Sequence, residues 1–103
     1  MLSESIRTWN GRSVLNALVR SYSVCNCGGN FTLGWNTMYK QLRYKHGIDP
    51  KIRCGKDNNH KPVVDYMTND EVNKAISVAA AMCRDKGIDV SKVINSANMT
   101  KVN

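Results

Sequence analysis

The sequence predicts a mainly α, small single domain: three principal helices, a short C-terminal helix, and a small β-hairpin or ordered basic loop. Three observations lead there. Apolar residues recur at three- and four-residue spacing in three separate stretches, the pattern of one-sided helices. The tripeptide Gly-Ile-Asp stands at 47–49 and again at 87–89, each time where such a stretch ends. A Thr-x-x-Glu pattern at 68–71 opens the third stretch. A chain of 103 residues has room for one modest core.

The first periodic stretch runs from about Ser3 to Tyr22. Ile6, Trp9, Val14, Leu15, Leu18, Val19 and Tyr22 form its stripe. Gly11 interrupts it, so it reads either as one weakened helix or as a turn followed by a helix from Ser13. The segment "SVCNCGGN" then reads as a loop, because two glycines and two asparagines surround its cysteines. Thr32 is the expected N-cap of the second helix, with Phe31 before it as the start of a hydrophobic staple.

In that helix, 33–46, one apolar face carries Trp35, Met38, Tyr39, Leu42 and His46. Asn36, Lys40 and Arg43 take the opposite face, with Tyr44 and Lys45 on its flanks. Gly47 stops the helix in the left-handed conformation, and Ile48 packs back on the last turn. Asp49 and Pro50 suit the cap and first position of a following helical turn. The second Gly-Ile-Asp repeats the device: Gly87 stops the third helix, Ile88 packs back, and Asp89 caps a short helix from Val90 to about Ala97. The repeated tripeptide is thus a stop and restart, and little else is shared between the two regions.

Between the two devices, Lys51–Cys54 and Pro62–Tyr66 are short and rich in β-branched residues, which predicts a hairpin or an ordered loop. Thr68 and Glu71 form a capping box for the third helix. Its apolar face carries Val72, Ala75, Ile76, Ala79, Met82 and Cys83, and the run Ala79–Ala81 leaves a smooth surface for another helix. Residues 98–103 are expected to fray.

Charge is the strongest global feature, +7 with an isoelectric point near 9.5. Residues 1–39 carry +2, residues 40–61 carry +5, and residues 62–103 balance to 0. A basic field concentrated in mid-chain attracts polyanions. A solvated basic face without a partner is the plain alternative. No apolar run approaches the roughly 18 residues of a membrane span. Starting at Met1 without an apolar leader, the chain is expected to work in a reducing cytoplasm.

The expectation for cofactors is none. Zinc stays open as an alternative, because Cys25, Cys27, Cys54 and His60 offer four ligands. The C-x-C spacing is tighter than the usual C-x2-C knuckle, and Cys83 belongs to an apolar helical face. No enzymatic activity is expected. The stretch "NNHKPVVD" at 58–65 faintly resembles a segment of small metal-dependent nucleases, but no histidine follows His60 to complete a metal set. No phosphate-binding loop, nucleophile elbow or H-E-x-x-H is present.

The side chains on the polar face of the second helix suit nucleic acid. Asn and Arg address base edges, while Lys, Arg and Tyr address phosphates. The expected contact set is Asn36, Lys40, Arg43, Tyr44 and Lys45 on the helix, with Lys51, Arg53, Lys56 and Lys61 in the basic segment 51–61.

The stretch "FTLGWNTMYKQLRYKHGID" at 31–49 resembles the C-terminal domain of phage antirepressors and related phage regulatory proteins. Trp35, Tyr39, Leu42, Arg43, Tyr44, Gly47 and Ile48 carry the likeness, and "YMTNDEVNKAI" at 66–76 matches the closing helix of that pattern. The cysteine loop and the insertion "RCGKDNNHKPVV" depart from it. The resemblance implies a phage or prophage origin and a regulatory role, and it transfers no catalytic residue. Two functions follow as expectations. One is a small basic phage-type regulator binding nucleic acid. The other is a phage-encoded inhibitor or modulator that docks on an acidic surface of a host protein. The exposure of the aromatics separates them: Tyr44 among basic neighbours favours nucleic acid, and an isolated exposed aromatic favours a protein hot spot.

Overall fold

The computed structural model describes residues 11–56 and 63–102, with side chains described as far as Ala97. The first helix, α1, spans Gly11–Asn26. Its stripe of Val14, Leu15, Leu18 and Val19 is fully buried, and Tyr22 nearly so. Gly11 is the first described residue of this helix, and the expected start near Ser3 lies outside the described residues.

The helix continues through Ser23, Val24, Cys25 and Asn26, which the composition of the segment had assigned to a loop. The reason is tertiary. Ser23 extends the buried stripe one more turn, and its hydroxyl donates to the Val19 carbonyl at 2.7 Å. The true connection is residues 27–30, where Gly28 and Gly29 adopt φ of 60° and 84°.

Helix α2 spans Phe31–His46. Its N-cap is Asn30, whose Oδ1 accepts from the Leu33 amide at 3.0 Å. Thr32 lies inside the helix, so Phe31 is not a staple residue preceding the cap. Phe31 instead sits half-exposed with the Arg20 guanidinium 5.0 Å above its ring. Met38 and Leu42 are fully buried, Tyr39 nearly so, and Trp35 packs against Tyr39 at 5.6 Å between ring centroids. His46 is exposed rather than on the apolar face.

Gly47 ends α2 at φ 68°, its amide donating to the Arg43 carbonyl at 2.9 Å. Ile48 is buried, and Pro50 is buried at the first position of a short helix, α3, Pro50–Lys56. A single 3-10 turn follows at Val63–Tyr66. These two replace the predicted hairpin, and the described residues contain no strand. Proline's fixed φ and missing amide suit a helix start, and that local signal outweighs the β-branched residues around it. Residues 57–62, the proposed turn of the hairpin, lie outside the described residues.

Helix α4 spans Asn69–Asp85 and has the predicted capping box: Glu71 N donates to Thr68 Oγ1 at 3.1 Å, and Thr68 N donates to Glu71 Oε1 at 3.0 Å. Its far end closes with Gly87 at φ 77°. Ile88 N donates to Cys83 O at 2.9 Å and Gly87 N to Arg84 O at 3.0 Å, the paired bonds of a Schellman stop. Asp89 Oδ1 then accepts from Lys92 N at 3.1 Å and caps α5, Val90–Val102. This helix runs to Val102, past the end near Ala97 that the sequence predicts.

α1 is the central element. It packs against α4, α5 and α2, and α2 also packs on α4. Cys83 of α4 is fully buried, and its thiol donates to Leu18 O at 3.3 Å, in keeping with the core role read from the sequence. α1 and α2 approach closely at Gly34. A Cβ on Gly34 would lie 1.8 Å from Ser23 Oγ. Gly34→Ala is therefore expected to cost about 1–3 kcal/mol of stability through overpacking. Adding Ser23→Ala should recover a large part of that loss. Urea midpoints of the two single variants and the double variant, at unchanged m-value, check this as a double-mutant cycle.

Candidate nucleic-acid interface

Burial of Met38, Tyr39 and Leu42 against α1 and α4 leaves the other side of α2 facing solvent. Residues three and four apart share a helical face. Asn36, Lys40, Arg43 and Tyr44 therefore stand together on the outward side, as the sequence predicts. Pro50 brings the start of α3 alongside them. Asn36, Tyr39, Lys40, Arg43, Asp49 and Lys51 line one cleft of about 170 Å³.

Lys51 bridges the two helices. Its Nζ donates to Asn36 Oδ1 at 2.6 Å and sits 5.6 Å from the Tyr39 ring centroid. Burial pushes the Tyr39 phenol pKa up, and the fields of Cys54 and Asp65 add to this. Tyr39 is thus a neutral phenol under Lys51 at any ordinary pH. Asp49 is the acid of the cleft, with Oδ2 3.8 Å from Arg43 Nη1. Arg43 is still two-thirds exposed, so this loose pair leaves most of the guanidinium open to solvent. Tyr44 is 86% exposed, the most exposed large hydrophobic side chain among the described residues.

The structure separates Lys45 and Arg53 from this cleft. Lys45 lies on the opposite flank of α2, in a groove it shares with Tyr22, Thr37, Gln41, Asp85 and Lys86. Arg53 is committed elsewhere. Its Nη2 donates to Glu71 Oε2 at 2.7 Å, its Nη1 donates to Glu71 Oε1, and Nη1 also donates to the Tyr66 carbonyl at 2.8 Å. This fork-to-fork pair ties α3 to the first turn of α4. It joins residues 18 apart, and nothing local in the sequence signals it. Lys56 is exposed at the end of α3, and Lys61 lies outside the described residues.

A second tie holds the 3-10 turn to α1: Arg12 lies 3.6 Å from Asp65 and donates to the Met67 carbonyl at 3.4 Å. The zinc alternative gains no assembled site. Cys25 is exposed on the last turn of α1, Cys27 is half-buried in the connection, Cys54 is half-buried on α3 near Tyr39, and His60 lies outside the described residues. Among the described residues no three His, Cys, Asp or Glu side chains converge as a metal would require. None of the described helices is long and apolar enough to cross a membrane. A larger groove of about 660 Å³ lies between α1 and α5, and it gathers none of the sequence-predicted residues.

No protein-family model, curated protein or solved structure matches this chain.

The Arg53 clamp makes stability depend on acid pH. Hydrogen bonds from the Arg53 guanidinium, with one from the Thr68 amide, pull the Glu71 carboxyl down from 4.5 to about 2. A carboxyl lowered by folding stabilises the folded state fully above its unfolded pKa and loses that effect as pH falls through the folded one. The melting-temperature gap between wild type and Glu71→Gln should therefore be full above pH 4.5. It should close as pH falls toward about 2. Parallel thermal melts across that range measure it.

Proposed function

We propose that this protein is a small regulatory protein that binds nucleic acid through the outward face of α2 and the start of α3. One observation carries the reading: Asn36, Lys40, Arg43 and Lys51 line a single cleft, with the exposed Tyr44 beside it and Asp49 as its acid. Cations gathered in this way release counterions from a polyphosphate when it binds, and that release drives association. Lys56 extends the basic field along α3. A phage or prophage origin, with action in the host cytoplasm, belongs to the same proposal and rests on the likeness of residues 31–76 to phage regulators. No catalytic step is part of it.

A second reading, docking on an acidic host-protein surface, draws on a different feature. Val24 at 62% and Phe31 at 39% exposure flank Arg20 at the α1–α2 corner, and apolar side chains beside a cation suit a protein interface.

The double variant Lys40→Glu/Arg43→Glu distinguishes them. Both side chains are exposed, so the fold and melting temperature should stay near wild type. Affinity for nucleic acid should fall by about tenfold or more, and the slope of log K against log salt should flatten by about 2, one for each lost phosphate contact. Fluorescence anisotropy at several salt concentrations measures both. Wild-type binding by this variant would overturn the α2 contact.

A further inference from the structure

We propose that the nucleic acid bound by this face is an unpaired strand, recognised by its phosphates and base faces and without regard to its sugar. The inference rests on the nucleic-acid reading above. Three features point to it.

The first is Tyr44. Its ring stands clear of the body at 86% exposure, next to Arg43 and one helical turn from Lys40. A duplex shows proteins the edges of its bases, and their faces are stacked inside. An unpaired base can lay its whole face on a phenol ring, and such stacking tolerates any base. An aromatic left in water among cations fits that use.

The second is the narrowness of the cationic strip. Lys40, Arg43 and Lys51 line the cleft, while Lys45 lies on the far flank of α2 and Arg53 is held by Glu71. A duplex presents two phosphate backbones across a wide groove. Among the described residues, this strip beside Tyr44 matches one backbone with its bases turned to the side.

The third is the donor pattern. Asn36 Oδ1 already accepts from Lys51, which leaves Nδ2 as the donor end of this exposed side chain. The ammonium groups of Lys40 and Lys51 and the Arg43 guanidinium are likewise donors. Donors address phosphate oxygens and base acceptors, which DNA and RNA share. Nothing in the set demands a 2′-hydroxyl.

The test uses the full chain in anisotropy titrations against oligo(dT), oligo(U) and a random-sequence duplex of equal length. Both single strands should bind with affinities within about threefold of each other and about tenfold or more above the duplex. Tyr44→Ala should weaken strand binding by about five- to tenfold, and Tyr44→Phe should restore it, because the ring and not the hydroxyl does the stacking. Tyr44 is too exposed for either change to disturb the fold. Duplex binding equal to or tighter than strand binding, or strand binding unchanged in Tyr44→Ala, overturns this inference and leaves the nucleic-acid reading standing. A tenfold preference for one sugar overturns its sugar independence. Failure to bind any of the three at low salt overturns both the inference and the reading beneath it.

Discussion

The burial of one seam on α1 holds this protein together. Val14, Leu15, Leu18 and Val19 are fully enclosed, and α2, α4 and α5 each rest against the same helix. Each such side chain is worth about 1.5–3 kcal/mol when removed from water. The seam continues through Ser23, whose hydroxyl is satisfied by its own helix, so α2 can approach closely over Gly34. That contact sets the rotation of α2. With Met38 and Leu42 turned inward, Asn36, Lys40 and Tyr44 have to face solvent. The candidate interface is in this sense the reverse side of the core.

Signals confined to a few neighbouring residues were legible in the sequence. The capping box at Thr68 and Glu71, both glycine stops and the apolar stripes depend on spacing alone, and among the described residues they stand in the structure, His46 excepted. What escaped depends on partners far along the chain. Ser23 looked like loop because its partner Gly34 is invisible to local reading. Asn30 is the cap in place of Thr32 because the helix begins at Phe31, two residues before the Leu33 start that a Thr32 cap implies. Ile52, Val63 and Val64 suggested strands, yet Pro50 and the docking of α3 on the 3-10 turn made helical turns of both segments. For the site, the faces of α2 were legible and the pairing was not.

That pairing changes what the formal charge means. The middle of the chain reads as strongly basic, but its cations differ in availability. Arg53 is bonded twice to Glu71 and once to a carbonyl, which makes it a structural clamp. Lys51 is oriented by Asn36 and Tyr39, and so it is held in place while keeping its charge. Arg43 is only loosely answered by Asp49. Counting charged letters overstates the field of such a surface, and it hides that part of the field is arranged in advance of any ligand.

The two Gly-Ile-Asp stops share their letters and differ in their closures. After α4, paired backbone bonds and a capping aspartate lock the chain into α5. After α2, one backbone bond closes the helix at Gly47, and the Asp49 carboxylate turns to Arg43. Beyond it, α3 packs mainly on the 3-10 turn and is fastened to the helical body by polar ties. Polar ties at a surface cost little to break compared with a buried seam. With Pro50 as its one buried residue, α3 therefore depends on these ties more than the helices around α1 do. Lys51 stands on that segment, so the cleft is complete only where the polar ties of α3 hold.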